Sequence, residues 1–192
     1  MPLPEPEIRA ALTQSLLAAL RRLPSGEGKR ILQAIPAHDI EEATAALAIG
    51  WLPMSLHMRI SDAIRDAVGP ERNVEVWRWT MRDAFGRPLL KSFVALTTGI
   101  FGVTPRALFR RAEKLNELIT RSCGTFSYEE ENERGGTLTL TGFPAHRYRF
   151  ICYVEGLAGC LEAAVDLGRM PGTVQVEQVA PEGTARYRVR WG

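Results

Sequence analysis

The sequence is poor in the residues that build metal centres and disulfide frameworks. Its 192 residues include only three histidines and three cysteines, and Cys123, Cys152 and Cys160 form no CxxC pair. An odd number of separated cysteines is typical of reduced thiols in a cytosolic protein, and we expect all three to be buried packing residues. No histidine is spaced from another ligand-type side chain in a known metal pattern. The sequence therefore predicts no metal site and no cofactor.

Strong net charge and long apolar runs are also absent. The formal charge is +2, whereas nucleic-acid binding usually needs a concentrated basic footprint. The longest apolar stretches, around residues 43–56 and 92–105, are interrupted by Gly and Pro and fall short of the roughly 20 residues that span a bilayer. The N-terminal residues do not resemble a secretory signal. We therefore expect a cytoplasmic protein with no membrane span and no nucleic-acid partner.

Motifs for catalysis and phosphate binding are missing as well. The segment from Ser25 to Arg30 is similar to the end of a phosphate-binding loop, but Leu23 stands where the leading glycine belongs and Arg30 replaces the Ser or Thr. No GxSxG nucleophile elbow occurs. The segment is better interpreted as an exposed turn, and the chain is predicted not to be an enzyme. A cleft holding a histidine or carboxylate with a strongly shifted pKa would favour an enzyme instead.

Helical periodicity dominates the first 121 residues. Thr104 followed by Pro105 is a favourable helix start, and Asp39 is placed to cap another helix. Gly and Pro at residues 86 and 88 interrupt one long helical region. The predicted helices cover residues 8–23, 28–35, 40–50, 58–68, 71–101 and 105–121.

From Ser122 to Gly192 the pattern changes to hairpin, long helix, hairpin. The last strand alternates apolar residues with arginines, which predicts one face on a core and one in water. The predicted strands cover residues 125–130, 137–141, 174–180 and 185–191, and the predicted helix covers residues 147–167. We predict a single domain of the α+β class, in which an N-terminal helical region (1–70) packs with a four-stranded antiparallel sheet made of two hairpins flanking a long helix.

Two features of the apolar segments each admit two interpretations. Aromatic residues between 89 and 109 alternate with small ones such as Thr98 and Gly99, which suits either a cleft for an apolar ligand or ordinary core packing. Gly156 and Gly159 each cost about 1 kcal/mol relative to alanine in a helix. Close packing against another element would explain these glycines, and so would room for a ligand or a dimer partner.

Two charged segments also admit more than one interpretation. Arg106, Arg110 and Lys114 are spaced to share one face of a helix, which is either a solvated face or a contact for an anionic partner. Four glutamates between residues 129 and 133 lie at a predicted hairpin tip. They are interpreted as a charged, solvated edge, because they lack the regular spacing of a calcium loop.

Several glycine and aromatic motifs carry a family resemblance. They are the segments 85–90, 99–105, 153–159 and 187–191. These motifs resemble a paralogous family of myxobacterial proteins. More distantly, the aromatic-x-x-Gly-Leu-x-Gly helix between two hairpins resembles the ligand-binding fold of vinyl-reductase-type sensor domains, small TRAPP vesicle-tethering subunits and haem-based nitric oxide sensors.

This resemblance covers about residues 70–192 and implies a ligand-binding-fold-like core over 71–192. It also implies binding of a small, often apolar molecule or of a protein partner. The haem sensors carry a proximal His and a Tyr-x-Ser-x-Arg motif, and the vinyl-reductase-type sensors carry cysteines near the last hairpin. Neither feature occurs here, so neither haem nor zinc is expected.

The predicted function is a non-catalytic cytoplasmic sensory or regulatory domain that binds a small apolar ligand between the helices and the sheet. The alternative is a protein–protein interaction or scaffold module, acting as a homodimer or with a partner protein, and a large exposed apolar patch would favour it. The residues predicted to line the ligand site are Phe93, Thr97, Phe101, Phe109, Phe150, Tyr153 and Leu157.

Overall fold

The secondary structure is taken from a computed structural model that describes residues 5–23, 26–98 and 103–192, without the side chains of residues 89, 93 and 96–98. The helices are α1 (Ala10–Leu20), α2 (Glu27–Ala34), α3 (Ala37–Ala45), α4 (Met54–Val68), α5 (Pro70–Phe85), α6 (Pro88–Thr98), α7 (Pro105–Phe109), α8 (Ala112–Ile119) and α9 (Phe150–Leu167). The strands are β1 (Glu7–Arg9), β2 (Trp51–Pro53), β3 (Thr120–Arg121), β4 (Thr125–Asn132), β5 (Gly135–Thr141), β6 (Gly172–Ala180) and β7 (Thr184–Trp191).

The C-terminal part has the predicted order of hairpin, helix, hairpin. Strands β4 and β5 form one antiparallel hairpin and β6 and β7 the other, and β5 pairs with β7, so the sheet order is β4-β5-β7-β6. The apolar residues of β7 face the core, and Tyr187 donates its hydroxyl hydrogen bond to the carbonyl of Val154 on α9 at 3.2 Å. The predicted α+β class, with a four-stranded antiparallel sheet, is confirmed.

A second, small sheet ties the beginning of the chain to its middle. Strands β2 and β3 both pair antiparallel with β1. The ring of Trp51 is stacked between two guanidinium groups, that of Arg9 at 3.8 Å and that of Arg121 at 4.0 Å, an arrangement that cation–π attraction favours. No strand was predicted in this part of the chain: the predicted helices are wrong where they overlap β1 and β3, and β2 lies in a gap between two predicted helices. Segments of two or three residues are too short to show a period-two pattern.

Helix α9 packs closely on α5 because it presents glycine at the contact. A Cβ atom on Gly159 would lie 2.2 Å from the backbone oxygen of Val74, and one on Gly156 would lie 3.0 Å from Nε1 of Trp77. No real Cβ atom tolerates the first of these distances without a backbone shift. Close helix packing therefore explains both glycines.

Two details of the predicted helices differ from the structure. Thr104 does cap α7, accepting from the backbone N–H of Ala107 at 3.2 Å, but the helix stops at Phe109 and α8 continues after a break. Asp39 was predicted as an N-cap, which is wrong. It lies inside the first turn of α3, and its fully buried carboxylate accepts from the guanidinium of Arg59. None of the described helices is long and apolar enough to cross a membrane.

Candidate ligand-binding site

An apolar cavity of about 120 Å³ lies between the helices and the four-stranded sheet. Its walls come mainly from α5, α8 and α9, with one or two residues each from α1, α4, α7, β1 and β3, and with β4 and β5 on the sheet side. Among the described lining residues none is Asp, Glu, Lys or Arg. A charged ligand would lose its hydration there without gaining a partner. The cavity therefore suits an uncharged, mostly apolar molecule.

Helix α5 provides one wall through a single face. Trp77, Thr80, Met81 and Ala84 all line the cavity, and their spacing of three, four and seven residues places them on one side of a helix. All four are buried. Because alanine fills little space at position 84, this wall leaves a void where a larger residue would have packed.

His57 on α4 is the histidine in the described lining. It is 4% exposed, its Nδ1 lies 2.8 Å from the hydroxyl oxygen of Thr13, and its ring centroid lies 5.4 Å from that of Trp77. Burial lowers the pKa of His57 to about 4. The imidazole is therefore neutral near pH 7, and it adds no charge to the cavity. A cavity histidine with such a shift is the feature that would favour an enzyme, but burial alone causes the shift and no carboxylate belongs to the described lining.

This burial makes stability depend on pH. A histidine in the unfolded chain has a pKa of about 6.5, so its ring is protonated below that pH. In the folded chain the ring of His57 is protonated only near pH 4. Stability is therefore lost as the pH falls through this window, by about 1 kcal/mol between about pH 6 and about pH 5.

Urea unfolding at both pH values should show that His57→Gln loses this dependence relative to the wild-type chain. The exposed control His146→Gln should retain it, and an equal loss in both variants would contradict the assignment.

The two cysteines of α9 also border the cavity. Cys152 and Cys160 both line it, and burial raises the pKa of each thiol to about 12. Both thiols therefore stay protonated near neutral pH, where the thiolate would be the reactive form. All three cysteines are free, as expected for reduced thiols; Cys123 and Cys152 are buried, whereas Cys160 keeps some accessible surface.

The structure brings together some of the predicted lining residues and separates others. Phe109, Tyr153 and Leu157 line the cavity. Phe150 is buried away from the described lining and stacks on Phe143 with centroids 5.1 Å apart. The side chains at 93 and 97, and residue 101 as a whole, lie outside the described residues. Whether any of these side chains binds a ligand stays a prediction.

Several lining residues were missed at the level of sequence, above all those of α5 and His57. The three-four-seven spacing on α5 marks a buried face, but the same spacing is expected whether that face packs tightly or borders a void. A lone histidine carries no local pattern at all. Only the tertiary arrangement could have identified these residues.

The charged segments neutralise each other rather than forming a site. Arg106 and Arg110 both donate to the carboxylate of Glu130, the latter at 2.6 Å. The predicted basic face and part of the acidic hairpin are thus paired within the chain. Over the described ranges no three His, Cys, Asp or Glu residues are grouped so as to hold a metal ion.

Comparison with known proteins identifies the fold. No family model and no curated protein matches the sequence. Solved structures do match: an Fe(II) unliganded H-NOX protein from K. algicida is 12% identical, with a TM-score of 0.65 over 96% of this chain and 97% of that chain. An oxygen binding H-NOX domain related to soluble guanylate cyclases is 12% identical, with a TM-score of 0.61 over 96% of this chain and 95% of that chain. The chain has the H-NOX fold.

The H-NOX likeness sharpens the predicted resemblance and corrects part of it. A point mutant of T. tengcongensis H-NOX, 12% identical with a TM-score of 0.62, also covers 96% of this chain and 97% of its own, so the likeness extends well beyond residues 70–192. The resemblance to haem-based sensors is supported at the level of fold. The resemblance to a myxobacterial family finds no support.

Haem does not fit the described lining of this H-NOX fold, although one matched structure concerns haem distortion in the H-NOX family. The cavity is of the order of one that holds benzene or xenon, roughly 150 Å³, and a porphyrin is several times larger than benzene. His57 is the histidine in that lining, and its Nδ1 lies within hydrogen-bond distance of Thr13. That contact leaves Nε2 as a possible ligand, so the size of the cavity is what excludes a porphyrin. His38 and His146 are exposed on the surface.

Proposed function

We propose that this chain is a non-catalytic sensory or regulatory domain that binds a small apolar molecule in the cavity between the helices and the sheet. The observation that carries the proposal is the uncharged cavity of about 120 Å³ inside the chain. Well-packed interiors contain few voids larger than a water molecule, and apolar cavities of similar size bind benzene or xenon. Ligand pockets are mostly apolar and largely pre-formed, and the described lining of this cavity is likewise mostly apolar.

The fold is a second observation that supports a sensory role. Oxygen binding is stated for one H-NOX domain of this fold, so the architecture can house a small ligand. Residues from six helices line the cavity, and a ligand that binds one arrangement of these helices better would shift the population toward it. A partner reading the outer surface of those helices would then sense the ligand.

Benzene is a suitable probe of the cavity. Titration of the ¹⁵N-labelled protein with benzene should shift amide resonances of α5 and α9 and raise the melting temperature, because a ligand that binds only the folded state stabilises it. Ala84→Leu fills the void from the α5 wall and should weaken benzene binding by about tenfold or more, a loss of at least about 1.4 kcal/mol.

The matched control is Ala34→Leu, the same change at an exposed position on α2. It should bind benzene as the wild-type chain does. Resonances of α5 and α9 that stay unchanged at saturating benzene, or benzene binding that survives Ala84→Leu unaltered, would refute a ligand site in this cavity.

The interaction-module alternative has one specific observation in its favour. Strand β6 is at an edge of the four-stranded sheet, and Val176 and Val179 on it are each 41% exposed. An exposed strand edge offers unpaired backbone groups to a second copy or a partner strand. Light scattering that gives a monomer over a wide concentration range would remove the homodimer form of this alternative.

A further inference from the structure

The indole of Trp77 contributes an unused hydrogen-bond donor to the cavity wall. Trp77 lines the cavity from α5 and is 8% exposed. Its Nε1 is buried and has no hydrogen-bond partner anywhere in the described ranges. Buried polar groups are satisfied in the great majority of cases, so each exception needs a physical explanation.

The other polar side chains of the wall do not share this feature. Ser61 donates to the carbonyl of His57 at 2.8 Å, and Thr80 donates to that of Val76 at 2.9 Å. Asn116 donates to the carbonyl of Gly124 at 3.0 Å and accepts from a neighbouring hydroxyl. Of the buried polar side-chain atoms that lack a partner in the described residues, Trp77 Nε1 is the one that belongs to a lining residue.

Gly156 of α9 also lines the cavity, and it packs on the face of the Trp77 indole. A Cβ atom on it would lie at 3.0, 3.1 and 3.1 Å from Nε1, Cδ1 and Cε2 of that ring, a position above the ring plane. The indole N–H lies in the ring plane, so Gly156 does not cover it, and no acceptor in the described residues meets it. An acceptor atom of a ligand lying in that plane would satisfy the donor.

We propose that the cavity selects small, uncharged molecules with an apolar body and one hydrogen-bond acceptor, which accepts from the indole N–H of Trp77. Heteroaromatic nitrogens, ethers and carbonyl compounds of about the size of benzene belong to this class. The proposal rests on the proposed function, since it names the chemistry of the ligand for the same cavity. A charged ligand is disfavoured because the described wall offers no counter-charge.

Benzene and pyridine form a matched pair of probes, because they have nearly the same shape and differ by one ring nitrogen that accepts a hydrogen bond. In the ¹⁵N-labelled wild-type chain, which has four tryptophans, pyridine should move the indole N–H resonance of Trp77 downfield, whereas benzene should not. Trp77→Phe keeps an aromatic ring and removes the donor. It should raise the ratio of the pyridine to the benzene dissociation constant by about tenfold, the usual worth of one hydrogen bond.

Trp79→Phe is the control, because Trp79 lies on the same helix but outside the described lining. It should leave the ratio at the wild-type value. If benzene binds but the ratio is the same in Trp77→Phe, or the Trp77 resonance responds alike to both probes, the selectivity proposal is wrong and the cavity site stands. If neither probe binds the wild-type chain, both proposals fail. The resonance test uses the wild-type chain, so it decides the question even if Trp77→Phe is unstable.

Discussion

Gly159→Ala is expected to lower the free energy of unfolding by about 3 kcal/mol or more. The new Cβ atom would lie 2.2 Å from the backbone oxygen of Val74 and 2.8 Å from the backbone nitrogen of Arg78. These are backbone atoms of α5, so the clash is relieved only if the helices separate. Overpacking usually costs about 1–3 kcal/mol and occasionally more. A 2.2 Å contact with backbone atoms belongs above that range, at about 4 kcal/mol, which leaves about 3 kcal/mol after the roughly 1 kcal/mol that alanine gains over glycine in a helix.

Thermal unfolding gives the clearest readout for this substitution. For a chain of this length about 2–4 °C is lost per kcal/mol, so the midpoint should fall by about 6 °C or more. Gly86→Ala is the control, because its Cβ atom would approach nothing closer than 3.4 Å. A surface change of that kind should stay within about 0.5 kcal/mol. Equal midpoints for the two variants would show that α5 and α9 do not pack as described.

Arg65→Met is expected to lower the free energy of unfolding by about 3–5 kcal/mol, because it leaves the nearly buried carboxylate of Glu155 without its cationic partner. Arg65 on α4 and Glu155 on α9 form a two-pronged ion pair at 2.7 and 2.8 Å, and their side chains are only 18% and 12% exposed. The hydrogen bond that Arg65 donates to Glu155 raises the pKa of Arg65. With the guanidinium gone, the amide of Asn73 at 3.2 Å is the contact left to the carboxylate. Removing one partner of a buried pair has this large effect.

A double-mutant cycle separates the pair from its surroundings. Arg65→Met combined with Glu155→Leu removes the stranded charge and should recover much of the loss, measured by urea unfolding of all four proteins. Arg149→Met breaks a more exposed pair nearby, between Arg149 just before α9 and Asp66 on α4, whose side chains are 42% and 62% exposed. It should cost less than about 1 kcal/mol. A cost for Arg65→Met as small as that for Arg149→Met would overturn this account.

Much of the C-terminal half could be predicted because its signals are local. The alternation of arginine with apolar residues defines β7, and Pro181 to Gly183 marks the turn before it. The small sheet and the break between α7 and α8 could not be predicted. Their determinants are contacts between residues distant in sequence, such as Arg9 with Trp51 and Glu7 with Arg121, or a few backbone angles, and neither leaves a periodic pattern.

The candidate site was predictable only in part. Phe109, Tyr153 and Leu157 lie in the wall, because aromatic and apolar residues on helix faces tend to point inward. The void itself follows from how much volume is missing where several helices and a sheet meet. Ala84 helps create that void, whereas the Trp77 ring fills the space beside Gly156, and small residues in a sequence do not reveal whether a neighbour fills the space they leave.

The cavity also bears on how the chain responds to hydrostatic pressure. An internal void is eliminated when the chain unfolds, so the folded state occupies the larger volume and compression favours the unfolded one. The cavity between the helices and the sheet adds to this volume difference wherever it excludes water. A molecule that fills the void reduces it, so occupancy of the cavity and tolerance of pressure are thermodynamically linked.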